Sequence, residues 1–147
     1  MRFLKKYFPQ FLFVLSFLTL FFGFFLDEDG TGRGASGDFK VTFNFIIALQ
    51  SNLLSDPKDF TLVHTPLHYY LMAAIYFFIK NETFIRIIFI ITSCLLPILF
   101  YKALLLNYSK RIKNNLLVLS SIIFILPAFR YTVIWPTDLV TSLIFFN

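Results

Sequence analysis

The residues able to do proton or phosphate chemistry gather in a few short stretches of this 147-residue chain. "DEDGTGRGASGD", Asp27 to Asp38, holds four of the eight acidic residues and four of the five glycines. His64 and His68 follow in "HTPLHYY", and Asp138 sits in "YTVIWPTDL". Carboxylates that share a face with histidines and arginines suit general-base work, in which one well-placed carboxylate takes the proton of an acceptor hydroxyl. On a plain solvated loop the same carboxylates would do no more than keep it wet.

Several letter matches fail on context. "GRGASG" (Gly32 to Gly37) fits G-x-G-x-x-G, but a dinucleotide fingerprint needs a preceding strand, and here an apolar helix precedes it. What survives is a glycine-rich approach to a helix start, where backbone N–H groups with Arg33 alongside could cradle a phosphate. Asp27, Asp29, Thr31, Gly32 and Asp38 shadow a calcium loop, yet the last ligand should be Glu. His64 and His68 are four apart, but Thr65-Pro66 starts a helix between them, so they do not share a helical face. No metal and no other cofactor is expected. Cys94 is the only cysteine and lies in an apolar run, where it reads as a small core residue.

The elements that must position these residues are membrane helices. The chain is 58% hydrophobic and 14% charged, with 22 phenylalanines, and its mean hydropathy is +0.76. Its apolar runs are continuous rather than alternating, which argues for helices over a barrel. The fold class expected is all-α and polytopic, a single membrane domain with about three to five membrane helices. The first span covers residues 8–26. An outer loop, 27–83, carries interfacial helices, and further spans cover 84–106, 115–134 and 139–147. The first apolar run is too long for a secretory signal and lacks a small-residue cleavage site.

Asp38 to Leu54 reads as a helix lying in the membrane interface. Phe39, Phe43, Ile46, Ile47, Leu49, Leu53 and Leu54 are expected on one face, with Lys40, Asn44, Ser51 and Asn52 on the other. Pro66 to Ile79 is too short to cross easily. If it stays in the outer leaflet, Lys102, Lys110, Arg111 and Lys113 join Arg2, Lys5 and Lys6 inside, which obeys the positive-inside rule. That arrangement also brings Asp138 to the side of Asp27–Asp38. The net charge of +5 is therefore a statement about topology, and no nucleic-acid partner is implied.

The order of these features resembles the C-type (GT-C) integral membrane glycosyltransferases that use polyprenyl-phosphate sugars. The resemblance rests on a basic N-terminus, one span, an outer loop beginning "DE", "HTPLHYYLMA" before a helix, Arg86 in "FIRIIFI", and Asp138 beyond the next helices. It implies that an acid of the first outer loop is the catalytic base and that transfer inverts at the anomeric carbon. The base falls first to Asp38, at the head of the interfacial helix, and otherwise to the Asp27/Glu28 pair. Arg33, His64, His68 and Arg130 would contact phosphate or sugar, and Asp138 would orient substrate. The implied partners are a polyprenyl-phosphate sugar donor and a lipid or glycan acceptor.

The glycine-rich insertion departs from the family pattern, and so does the modest length, which suits an N-terminal portion of a larger enzyme. The localisation expected is a multi-pass integral membrane one, in a bacterial inner membrane before the endoplasmic reticulum. The competing expectation is a non-catalytic small polytopic subunit or transporter fragment, with the acidic loop as a solvated connector.

Overall fold

The computed structural model describes residues 2–28, 34–52, 66–108 and 112–146. These form eight α-helices in the order α1 (Arg2–Phe25), α2 (Ala35–Asn52), α3 (Pro66–Ile79), α4 (Glu82–Ser93), α5 (Leu95–Asn107), α6 (Lys113–Ser121), α7 (Pro127–Ile134) and α8 (Asp138–Phe146). No strand occurs among the described residues. Two helical stretches are long and apolar enough to cross a membrane, Tyr7–Phe25 and Glu82–Asn107. The second combines α4 and α5. The count becomes three if the bent pair Lys113–Ile125 and Pro127–Ile134 is one crossing. The fold is all-α and polytopic.

Prolines interrupt the helices unequally. Pro97 removes one helical donor and crowds the carbonyl four residues before it, yet Cys94 between α4 and α5 keeps right-handed helical backbone (φ −58°, ψ −22°), so the two run on as one stretch. Leu126 precedes Pro127 and is pushed to extended backbone, ψ 125°. There the chain passes from a 3-10 turn, Ile122–Ile125, into α7 with a bend of 62°. The stretch expected as one span over 115–134 is thus two helices meeting at an angle.

Helix α1 buries one face, which includes its few small residues. Pro9, Ser16, Leu20, Gly23 and Phe24 are buried, while Phe8, Phe11, Leu15, Leu18, Phe22 and Phe25 are exposed. Ser16 and Gly23 let neighbouring backbones approach, and this face packs on α6 and α7 while the exposed one is left to lipid. Phe13 and Phe17 extend that packing, each with its ring against Phe124 at 5.1 and 5.6 Å.

Side chains fix the relative direction of the helices. Asp27, just past the end of α1, pairs with Arg86 in the second turn of α4. The span Glu82–Asn107 therefore starts near the end of α1. Helix α3 ends two residues before α4, with Lys80 in a left-handed cap (φ 46°) donating its N–H to Tyr76 O at 2.9 Å. Asn81 then caps α4, its Oδ1 accepting from Phe84 N at 3.1 Å.

Helix α2 packs on α3. Phe39, Ile46 and Leu49 are buried and Lys40 and Asn44 exposed, which matches the expected division of faces, whereas Ile47 is exposed. Val41 and Phe45 join Ile47 on the exposed side, so α2 carries apolar groups on both faces. Leu53 and Leu54 lie outside the described residues.

Candidate functional site

The site begins with the way α1 stops. Asp27 N donates to Phe24 O at 3.2 Å, and Glu28 N donates to Gly23 O at 2.8 Å. These are the two hydrogen bonds of a Schellman cap, and they put Asp27 in the left-handed region with φ 54°. Glycine is the usual occupant of that position, because a Cβ there crowds the following carbonyl. An aspartate stands in its place, with 61% of its side chain exposed.

Glu28 faces the other way and is fully engaged. Arg130 Nε donates to its Oε1 at 2.9 Å, and Arg130 Nη2 bonds its Oε2 in the second half of a two-pronged pair. Trp135 Nε1 donates to the Glu28 carbonyl at 2.7 Å. Arg130 donates further to Thr19 Oγ1 at 2.8 Å, to Thr19 O at 3.1 Å and to Phe124 O at 3.4 Å. The last of these carbonyls lies in the 3-10 turn before Pro127, where the helical ladder is interrupted. Arg130 thus supplies a donor that the broken helix cannot. The hydrogen bonds from Arg130 hold the Glu28 carboxyl below its ordinary pKa, against a smaller opposing effect of burial. Gly23 makes the pairing possible. A Cβ on it would meet Ile134 Cδ1 at 2.6 Å and Arg130 Nη2 at 2.7 Å, and would also strike the Glu28 carboxylate.

A second arginine lies beside the first pair and is held differently. The Arg86 guanidinium carbon sits 3.6 Å from the Trp135 ring centroid and 4.7 Å from that of Phe24. Its Nε donates to Ile134 O at 3.0 Å. Its Nη2 is buried without a hydrogen-bond partner, with Asp27 Oδ1 at 3.8 Å, an ion-pair contact too long for a hydrogen bond.

The third part lies between α3 and α8. His68 is only 1% exposed. Its Nδ1 shares a 2.9 Å hydrogen bond with Thr141 Oγ1, and its Nε2 is buried without a partner. Its ring packs edge-on against Phe89, one turn beyond Arg86 on α4, at 5.8 Å. Burial lowers its pKa from 6.5 to about 4, opposed by the charge of Asp138. Asp138 opens α8, and Thr137, just before it, has a buried hydroxyl without a partner.

Of the residues expected in a site, Asp27, Glu28, His68, Arg130 and Asp138 lie around the end of α1 and the turn between α7 and α8. Arg33 and His64 lie outside the described residues, as do residues 29–33 of the glycine-rich stretch. Asp38 is exposed in the first turn of α2, next to Phe39, whose ring is 6.0 Å from that of Trp135. Among the described residues no group of three or more His, Cys, Asp or Glu side chains is placed to hold a metal ion. No sequence signal marks Thr19 or Thr141 as partners of Arg130 and His68. Gly23 carries a weak one, as the lone glycine of an otherwise bulky helix. Trp135 is buried and in contact with Arg86, Phe39 and Glu28.

The arrangement offers one exposed carboxylate beside a buried guanidinium with an unused donor, at the end of a membrane helix. Against protein families, characterised proteins and solved structures alike, the chain shows no match.

Proposed function

We propose that the chain belongs to a membrane glycosyltransferase acting on the non-cytoplasmic face, with Asp27 as general base. The donor is a polyprenyl-phosphate sugar, and the acceptor is a lipid or glycan hydroxyl. Asp27 takes the hydroxyl proton, the acceptor oxygen bonds to the anomeric carbon, and the carbon–oxygen bond to phosphate breaks. The polyprenyl phosphate leaves with the electron pair, and the configuration inverts.

The observation that carries this reading is the backbone of Asp27. A carboxylate is kept at a position where glycine would be less strained, at the membrane surface beside Arg86. Glu28 is the poorer candidate, since both its oxygens are bound by Arg130. Asp38, the first choice from sequence, has no comparable setting among the described contacts. The sidedness is argued from the sequence: Arg2, Lys5 and Lys6 before the first span and Lys102 to Lys113 after the second are put opposite Asp27 by the positive-inside rule.

The test uses membranes carrying the full-length protein and a labelled polyprenyl-phosphate sugar. Asp27→Asn and Asp27→Gly are expected to abolish transfer while the protein inserts and folds. Wild-type turnover in either variant would remove Asp27 from the chemistry and favour a connector role for the acidic loop.

A further inference from the structure

We infer that Glu28, Arg130 and Gly23 form a clamp that positions Asp27 by forcing its backbone into the left-handed conformation. The catalytic meaning of the clamp rests on the reading of Asp27 as base, but its geometry does not.

Residue 28 is pinned at both its backbone and its side chain. Its N–H is held by Gly23 O at 2.8 Å and its carbonyl by Trp135 Nε1 at 2.7 Å. Its carboxylate is held by two nitrogens of Arg130. Arg130 is itself anchored to α1 through Thr19 and to the 3-10 turn through Phe124 O. With residue 28 fixed relative to α1 and α7, the chain between Phe25 and Glu28 has to reverse within the cap, and residue 27 takes the positive φ. Relaxing Asp27 to right-handed backbone would swing Glu28 away and break these contacts together. Gly23 belongs to the clamp because any larger residue would occupy the space where the Glu28 and Arg130 heads meet α1.

A helix cap by itself also takes a left-handed residue, so what the clamp adds at α1 is a neighbour tied to other helices. The cap that closes α3 also holds a non-glycine residue, Lys80, in the left-handed region, and no described side-chain contact pins its neighbour from another spanning helix. At Asp27 the fixed neighbour aims the carboxylate, and the outward direction leaves it open to solvent next to Arg86.

Unfolding of the purified full chain in detergent tests this without any transfer assay. Asp27→Ala and Asp27→Gly differ only by a Cβ, so the difference between their midpoints reports the left-handed strain at residue 27. With Glu28 present, the glycine variant is expected to melt higher, by roughly 2–4 °C. In a Glu28→Ala background that gain is expected to fall below about half, because the released chain relaxes with either residue. Equal gains in both backgrounds would overturn the clamp and leave Glu28 as a tie between α1 and α7. If Glu28→Ala does not fold, Glu28→Gln, which weakens the pair while keeping its shape, carries the same comparison. An inactive but clamped Asp27→Asn protein would bear on the proposed chemistry alone, so the two ideas fail separately.

Discussion

Two arginine–carboxylate pairs lie side by side at the end of α1, built from consecutive acids, and they are made differently. Glu28–Arg130 is closed: two-pronged, backed by Thr19 and Phe124 O, and sealed by the missing side chain of Gly23. Asp27–Arg86 is open: 3.8 Å apart, with an exposed carboxylate and a guanidinium nitrogen that bonds nothing. A closed pair returns its desolvation cost only when every donor finds an acceptor, and this one does so by stitching a broken helix to its neighbour. The open pair gives up that gain. A buried donor left unpaired is a cost to the fold, and such costs gather where a group is needed for something other than packing. Adjacent residues can therefore be set apart, one locked into the architecture and one left open to solvent.

The sharpest way to break this contrast is to remove each arginine in turn. Arg130→Leu leaves Glu28, Thr19 Oγ1 and Phe124 O without their donor and should cost about 3 kcal/mol in detergent unfolding. Water reaching the half-buried Glu28 keeps the figure from rising further. Arg86→Leu should cost only about 1 kcal/mol, because it removes an unpaired buried donor together with the ring contact and one hydrogen bond. Equal costs would mean that the two pairs are one structural unit. Gly23→Ala is next, at about 2 kcal/mol, since the new methyl must displace the locked heads of Glu28 and Arg130. A neutral result there would show that the closed pair has slack.

Acid gives the most graded effect. The Glu28 carboxyl is depressed in the fold, so its contribution is complete above the ordinary value of 4.5 and is lost as pH falls through the lowered one. His68 is also depressed, from 6.5 to about 4, so the unfolded chain gains a proton that the folded one refuses between those values. Stability should therefore slip by about 1 kcal/mol as pH drops from 6.5 to 5.5, through His68 alone. His68→Gln should flatten that window, and Glu28→Gln should flatten only the one below 4.5. A wild-type slope between 6.5 and 5.5 in His68→Gln would assign the acid sensitivity to another group.

The overall character was legible because it is written in composition and period. Long apolar runs, Pro66 at a helix start and the basic residues flanking the spans need no tertiary partner to be read. The break at Leu126 was partly legible through Pro127, but how sharply a helix bends depends on what packs against it. Ile47 was misplaced because α2 is apolar on both faces, so a face pattern had too little contrast to assign it. The roles of the acids were less legible still. "DE" reads as two equivalent carboxylates, and Asp38 looked the best placed because it heads a helix.

The sequence by itself determined that this chain is a helical membrane protein. Burying so much apolar surface leaves few other solutions, and each backbone polar group must be satisfied within its own helix. Only the tertiary structure decided that Glu28 is spent on Arg130 and that Asp27 is turned outward beside Arg86. Arg130 lies 102 residues from Glu28. A pairing across that distance depends on which helix faces meet, and here that was set by a glycine at position 23 and a proline at position 127.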